Sequence, residues 1–312
     1  MSSFAFLFPG QGSQSVAMLD AWGEHPAVRD TLAEASAALG EDLAKLIREG
    51  PKEALDLTTN TQPVMLTAGI ACWRAWRAEG GAEPAAVAGH SLGEYAALVA
   101  AGALTLADAL PLVRFRAQAM QDAVPVGIGA MAAILGLDAQ AVREGCAEAA
   151  AASGEVVEAV NFNDPKQTVI AGSKAGVAKG CEVLKAKGAK RALPLPVSAP
   201  FHSSLMKPAA DRLRERLMAA TIAPPQIPVV NNVDVAVVTD PAGIRDALYR
   251  QAFGPVRWVE VVQALRARGL VNLIECGPGK VLAGMVKRID PEAMSMTVFD
   301  PATLAEAKGL LA

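Results

Sequence analysis

Four places along the chain repeat one pattern: a short apolar run, a tight turn, and then a stretch with helical character. The runs are Phe4–Phe8, Ala85–Ala88, Ile227–Val230 and Val271–Ile274. The turns that follow are Pro9-Gly10-Gln11-Gly12, Gly89-His90-Ser91-Leu92-Gly93, Asn231-Asn232 and Glu275-Cys276-Gly277-Pro278-Gly279. Continuous apolar runs predict strands buried on both faces, and long helical connections predict parallel crossovers. Sheets of that kind carry their sites beyond the carboxyl ends of the strands, where these turns lie.

Between Gly129 and Val197 the rhythm changes. The pattern predicts a strand over 130–137, a helix over 138–152, strands over 156–162 and 167–172, a helix over 174–187 and a strand over 191–197. Asn163-Asp164-Pro165-Lys166 has the composition of a turn between the two central strands. The order βαββαβ is that of a ferredoxin-like unit. The expected class is therefore α/β: a parallel-sheet, α/β-hydrolase-like large domain with an inserted ferredoxin-like small domain. The large domain is expected over 1–126 and 198–312, and the small one over 127–197. Pro125, Gly127 and Gly129 mark the way in, and Pro194, Pro196 and Pro200 the way out.

Composition narrows the function. The chain has 312 residues, 52% of them apolar, which supports a sizeable core. A net charge of −3 removes the broad basic field of a nucleic-acid binder. The N-terminal segment has no basic residue ahead of its apolar run, so it does not read as a secretory signal. The run over 95–107 is broken by Gly102 and Thr105 and is shorter than the roughly 20 residues a membrane span needs. Cys72, Cys146, Cys181 and Cys276 show neither a C-x-x-C pair nor zinc spacing, and they suit a reducing, cytoplasmic setting. No metal or cofactor, no membrane and no nucleic acid is expected.

Gly89–Gly93 matches G-x-S-x-G, the turn that lifts a serine hydroxyl above the sheet at the positive end of the next helix. A backbone N–H there can receive a developing oxyanion. Ser91 is the expected nucleophile, and it needs a base. The chain has three histidines. His25 lies in an early turn far from any strand end. His90 neighbours Ser91 in sequence, but its side chain should point the other way and support the turn by hydrogen bonding. His202 falls where the inserted unit returns to the main sheet, and it is the expected base.

Other signals are weaker. Gly10-Gln11-Gly12 lacks the third glycine of a dinucleotide loop, since position 15 is serine, and Gly277–Lys280 fails as a phosphate loop. Gln11 and Gln14 are expected to present amide and backbone donors toward the serine. Arg114 and Arg116 sit on a helix expected over 110–121, about 200° apart, so one can face solvent while the other reaches inward. An inward arginine suits fork-like pairing with a carboxylate, although the pattern alone favours a surface arginine. Lys185, Lys187, Lys190 and Arg191 form a basic cluster on the insertion.

Taken together, the motifs resemble those of the malonyl-CoA:acyl carrier protein transacylases of bacterial fatty acid synthesis. The resemblance rests on Phe8–Gln14, Gly89–Tyr95, Arg116, Asn161-Phe162-Asn163, Pro200-Phe201-His202, Asn231-Asn232-Val233 and Gly277–Leu282. It implies acylation of Ser91 with His202 as base, and an oxyanion hole from the N–H groups of Gln11 and Leu92. It also implies Arg116 on the malonyl carboxylate, a backbone carbonyl near Gln251 orienting the histidine, and supporting places for His90 and Asn161. Phe201 resembles the malonyl-selecting form of its loop. The implied partners are malonyl-CoA and acyl carrier protein. Rival readings are a serine esterase or thioesterase on the same turn, a polyketide acyltransferase, and a non-catalytic docking module.

Overall fold

The computed structural model describes residues 3–197 and 199–311. The chain opens with β1 (Phe4–Phe8), α1 (Pro26–Leu39), α2 (Leu43–Glu49), α3 (Lys52–Leu55) and α4 (Thr58–Ala78). Next come β2 (Ala86–Gly89), α5 (Gly93–Ala100) and α6 (Leu106–Ala123). The middle of the chain supplies β3 (Gly129–Leu135), α7 (Ala139–Ser153), β4 (Val157–Asp164), β5 (Gln167–Ser173), α8 (Lys174–Ala186) and β6 (Arg191–Pro194). It closes with α9 (Lys207–Ala219), β7 (Val229–Val230), α10 (Pro241–Gln251), α11 (Trp258–Ala267), β8 (Asn272–Cys276), α12 (Val281–Ile289), β9 (Met294–Val298) and α13 (Pro301–Leu311).

Two sheets result. The larger is parallel with order β7-β2-β1-β8-β9. Its central strand, β1, is buried at every position, and alternate residues go to opposite faces. Phe4, Phe6 and Phe8 enter the main core. Ala5 and Leu7 face a second core with Trp258, Val261 and Leu265 of α11. Phe6 meets the rings of Phe4, Trp73 and Trp76 edge-on at centroid distances of 5.2, 5.8 and 5.2 Å.

The smaller sheet is antiparallel with order β4-β5-β3-β6, and α7 and α8 connect its strands in a βαββαβ sequence. Asp138 and Ser173 cap the two helices, accepting hydrogen bonds from the N–H groups of Ala141 and Gly176. This sheet is tied to the body of the molecule. Val256 N–H donates to Val160 O at 2.8 Å, Phe162 N–H donates to Val256 O at 3.0 Å, and Arg288 pairs with Asp164 at 2.7 Å.

Departures from the expected elements have local causes. The third apolar run pairs only at Val229–Val230, because Pro228 has no N–H for a ladder. β6 stops at Pro194 for the same reason, since Pro196 follows two residues later. The helix expected from 110 begins at Leu106, capped by Thr105, and carries Pro111 inside it. The fifth strand, β9, went unread. Its Met-Ser-Met-Thr-Val sequence mixes polar and apolar residues, as befits an edge strand covered on one side.

Phe6→Ala removes a fully buried ring from the centre of this core. It is expected to lower the unfolding free energy by about 3–5 kcal/mol in a denaturant titration. A loss under about 1 kcal/mol would mean that the ring cluster does not anchor the sheet.

Candidate active site

β2 ends at Gly89 and α5 begins at Gly93, so three residues make the whole reversal. Ser91 at its apex has φ 53°, a left-handed conformation uncommon for a residue with a side chain. Both flanking glycines are sterically required. A Cβ on Gly89 would lie 1.9 Å from the carbonyl of Gly93, and one on Gly93 would lie 2.0 Å from Phe8 O. Asn232, in the turn after β7, holds the bend. Its Oδ1 accepts from Ser91 N–H and its Nδ2 donates to Gly89 O, each at 2.7 Å. Its own N–H donates to a carboxylate oxygen of Glu94 at 2.9 Å. Strain of this kind persists only where the surroundings over-determine it.

His202, also at positive φ (65°), places Nε2 2.7 Å from Ser91 Oγ. Its Nδ1 lies 3.0 Å from Gln251 O and 3.2 Å from Gly254 O. Carbonyls only accept, so Nδ1 carries the proton and Nε2 is the acceptor that faces the serine hydroxyl. Burial, reinforced by the charge of Arg116, pushes the imidazole pKa down to about 3. The ring is neutral at physiological pH, so Nε2 presents a free lone pair to the serine hydroxyl.

Arg114 and Arg116 diverge. Arg114 makes a two-bonded pair with Glu41 at 3.0 and 2.7 Å on the outer side of α6. Arg116 is 2% exposed. It donates to Gln62 Oε1 at 2.8 Å, Gln251 Oε1 at 3.0 Å and Ser91 Oγ at 3.3 Å. Its guanidinium lies 5.6 Å from the centroid of the Tyr95 ring, and its Nε is buried without a partner. No carboxylate pairs with it among the described residues. A buried guanidinium with no acid bonded to it thus lies 3.3 Å from the serine oxygen and keeps one N–H donor unused.

These groups open into a cavity of about 600 Å³ at the carboxyl end of the parallel sheet, between it and the small sheet. Gln11, Leu92, Asn161 and Phe201 line it too. The N–H groups of Gln11 and Leu92 have no protein acceptor among the described residues, and Asn161 Oδ1 is buried without a donor. The expectation that the side chains of Gln11 and Gln14 serve the serine is corrected. Gln11 Nε2 donates to Thr58 and Gln14 Nε2 to Asp56, and both bonds draw the amides toward the α3–α4 corner. His90 points away from Ser91, and its Nε2 lies 2.8 Å from Oδ1 of Asn163 at the end of β4. His25 stands apart, against Glu79 at 3.3 Å. Ser198, inside the returning loop, lies outside the described residues.

Three contributors escaped the sequence reading, and a fourth, Gln251, was expected for its carbonyl alone. Gln62, within α4, carries no local signal. Glu94 and Asn232 stood inside motifs without any reason to single out their side chains. The Gln251 side chain does more than its carbonyl: its Nε2 donates to Ser91 O at 3.0 Å and to Glu94 Oε2 at 3.1 Å. Among the described residues no group of three or more His, Cys, Asp or Glu could hold a metal, and no helix is long and apolar enough to cross a membrane.

The depressed His202 pKa has a measurable consequence. Its ring resonances should not titrate between pH 5 and 8 in an NMR series; a midpoint near 6.5 would contradict a buried neutral ring. The unfolded chain binds this proton near 6.5 and the fold only near 3, so the group withdraws stability as pH falls through that window.

Residues 5–298 match the family model described as "Acyl transferase domain". The malonyl CoA-acyl carrier protein transacylase of Salmonella typhimurium is 53% identical over 308 residues, spanning 98% of this chain and 99% of that protein. The crystal structure of an acyl-carrier-protein S-malonyltransferase from Burkholderia pseudomallei superposes with a TM-score of 0.97 at 67% identity, covering 98% and 99% of the two chains. A malonyl-transacylase in complex with its type II polyketide acyl-carrier protein matches at TM-score 0.97 and 48% identity, covering 99% and 100%. With its motifs, its fold and nearly its whole length shared with these proteins, the chain belongs to the malonyl CoA-acyl carrier protein transacylase family.

Proposed function

We propose that this protein moves a malonyl group from malonyl-CoA to the phosphopantetheine thiol of an acyl carrier protein for fatty acid synthesis, through an ester on Ser91. The observation that carries the reading is the buried Arg116, with no acid paired to it, beside a serine hydrogen-bonded to a neutral imidazole. Ser91 Oγ attacks the thioester carbonyl while His202 Nε2 takes its proton. The N–H groups of Gln11 and Leu92 receive the oxyanion. Collapse of the adduct breaks the carbon–sulfur bond, and His202 protonates the departing CoA thiolate. In the second half the carrier's thiol gives its proton to His202, attacks the Ser91 ester, and leaves the serine hydroxyl restored.

Specificity follows from charge. The malonyl carboxylate supplies the anion that Arg116 lacks, and Arg116 Nε is an unused donor for it. Orienting the histidine with carbonyls instead of an acid keeps a second negative charge away from that carboxylate. Phe201 narrows the cavity where an α-branch on the acyl group would sit. Residues 127–197 form a separate small domain in this reading. They roof the site against water and bring Asn161 into it, with His90 braced on Asn163. The acceptor is a carrier protein, in keeping with the relative seen in complex with one.

Arg116→Ala is expected to lower kcat/KM for malonyl transfer about 100-fold, the worth of two charge-assisted bonds, and to raise the acetyl-to-malonyl ratio. Equal losses for both acyl groups would leave the arginine a structural part. Incubation with malonyl-CoA should yield malonyl-carrier far faster than free malonate. Release of malonate at the same rate would make the protein a hydrolase.

A further inference from the structure

Gln251 ties Arg116 to a second buried group. Its amide oxygen accepts from Arg116 at 3.0 Å and its amide nitrogen donates to Glu94 Oε2 at 3.1 Å. The orientation is forced, because Glu94 and Ser91 O present only acceptors to the nitrogen end. Glu94 is 2% exposed and Gln251 fully buried, so the path from carboxylate to guanidinium runs through one amide in a medium that screens poorly. Glu94 is thus the indirect counter-charge of Arg116.

We propose that Glu94 is a positioning and charge-compensating residue that exchanges its charge for that of the substrate: it is ionised while Arg116 is unoccupied and takes up a proton from solvent when a malonyl carboxylate occupies Arg116. The inference rests on the reading above that Arg116 holds that carboxylate. The carboxylate neutralises the guanidinium that keeps Glu94 ionised, and two anions sharing one buried cation is the unfavourable outcome. The proton lands on a Glu94 carboxyl oxygen. Acylation of Ser91 by a CoA thioester releases a CoA thiol that is mostly protonated near pH 8, and acetyl-CoA releases the same thiol, so the difference in proton uptake between the two substrates belongs to this group.

The surroundings suit such an exchange. Burial pushes the Glu94 pKa up to about 7, while Gln251, the N–H of Asn232 and the charge of Arg116 pull against that rise. Asp234, from the turn after β7, raises it further, and Asp234 is itself paired with Arg250 of α10 at 2.6 Å. Tyr95, its neighbour on α5, is held neutral by burial, its own pKa pushed up to about 12. β1 and β2 contribute no titratable side chain, and the arginines of α4 are engaged at its far end, Arg74 by Glu34 and Arg77 by Gly81 O. His202 also senses Arg116, but with a pKa of about 3 it stays neutral near pH 8.

Rapid mixing of the protein with one equivalent of malonyl-CoA at about pH 8, with a pH indicator in weak buffer, tests the idea. Fast uptake approaching one proton per malonyl-enzyme is expected, with none for acetyl-CoA, which forms the same ester without the carboxylate. Glu94→Gln keeps an acceptor for the Asn232 and Gln251 N–H groups, and it should abolish the uptake. It should also flatten the rise of KM for malonyl-CoA above pH 7, expected to be about tenfold in the wild type for each pH unit by which occupancy shifts Glu94. No uptake with malonyl-CoA, or equal uptake in Glu94→Gln, overturns the proposal. Loss of the malonyl-over-acetyl preference in Arg116→Ala without any such failure leaves the two readings separable. Retention of that preference in Arg116→Ala would instead sink the site reading beneath both.

Discussion

Everything at the site depends on how closely the β2–α5 turn is pressed against the end of β1. Gly93 touches the Phe8 carbonyl and Gly89 touches Gly93, so neither position has space for a methyl group. This contact drives Ser91 into a left-handed conformation, in which its hydroxyl meets His202 Nε2. The conformation costs of order 1–3 kcal/mol. Asn232 offsets that cost by bonding the N–H of Ser91 and the carbonyl of Gly89 with one amide. The same compression brings Gly10 against His90 O, which sets the β1 turn, and with it the Gln11 N–H, beside the serine.

The electrostatics of the cavity follow from a choice of neutral partners. A conventional triad orients its histidine with an acid. Here two carbonyls do it, and the arginine is held by two glutamine amides. Dipoles orient without neutralising, so the guanidinium has no acid bonded to it and the nearest one, Glu94, is reached only across the Gln251 amide. The core around β1 is large enough to bear this buried charge. In the proposed reaction the substrate's carboxylate pairs directly with this guanidinium, so affinity depends on the acyl group carrying an anion.

Legibility varied with the range of the physics involved. Four strands of the parallel sheet, the βαββαβ order and the serine turn could be read because each is a local pattern: an apolar run, a helix cap, a pair of glycines with no room for Cβ. His202 was reachable because only three histidines exist and one stands at a chain re-entry. Arg116 could not be separated from Arg114 by spacing alone; the difference is that Glu41 of the α1–α2 corner engages one, while α4 and α10 enclose the other. The Gln11 and Gln14 amides were misplaced for a like reason, since Thr58 and Asp56, more than forty residues on, capture them.

What the sequence determined by itself is therefore the chemistry available: a serine on a forced bend, a single well-placed imidazole, an α/β frame with a split βαβ insertion, and the family to which these motifs belong. Only the tertiary structure decided which charges are left without a directly bonded partner. Burial is a property of packed elements from distant parts of the chain. The carboxylate of Glu94, the amide of Gln251 and the guanidinium of Arg116 lie up to 157 residues apart in sequence and form one hydrogen-bonded line only once α5, α6 and α10 close around them.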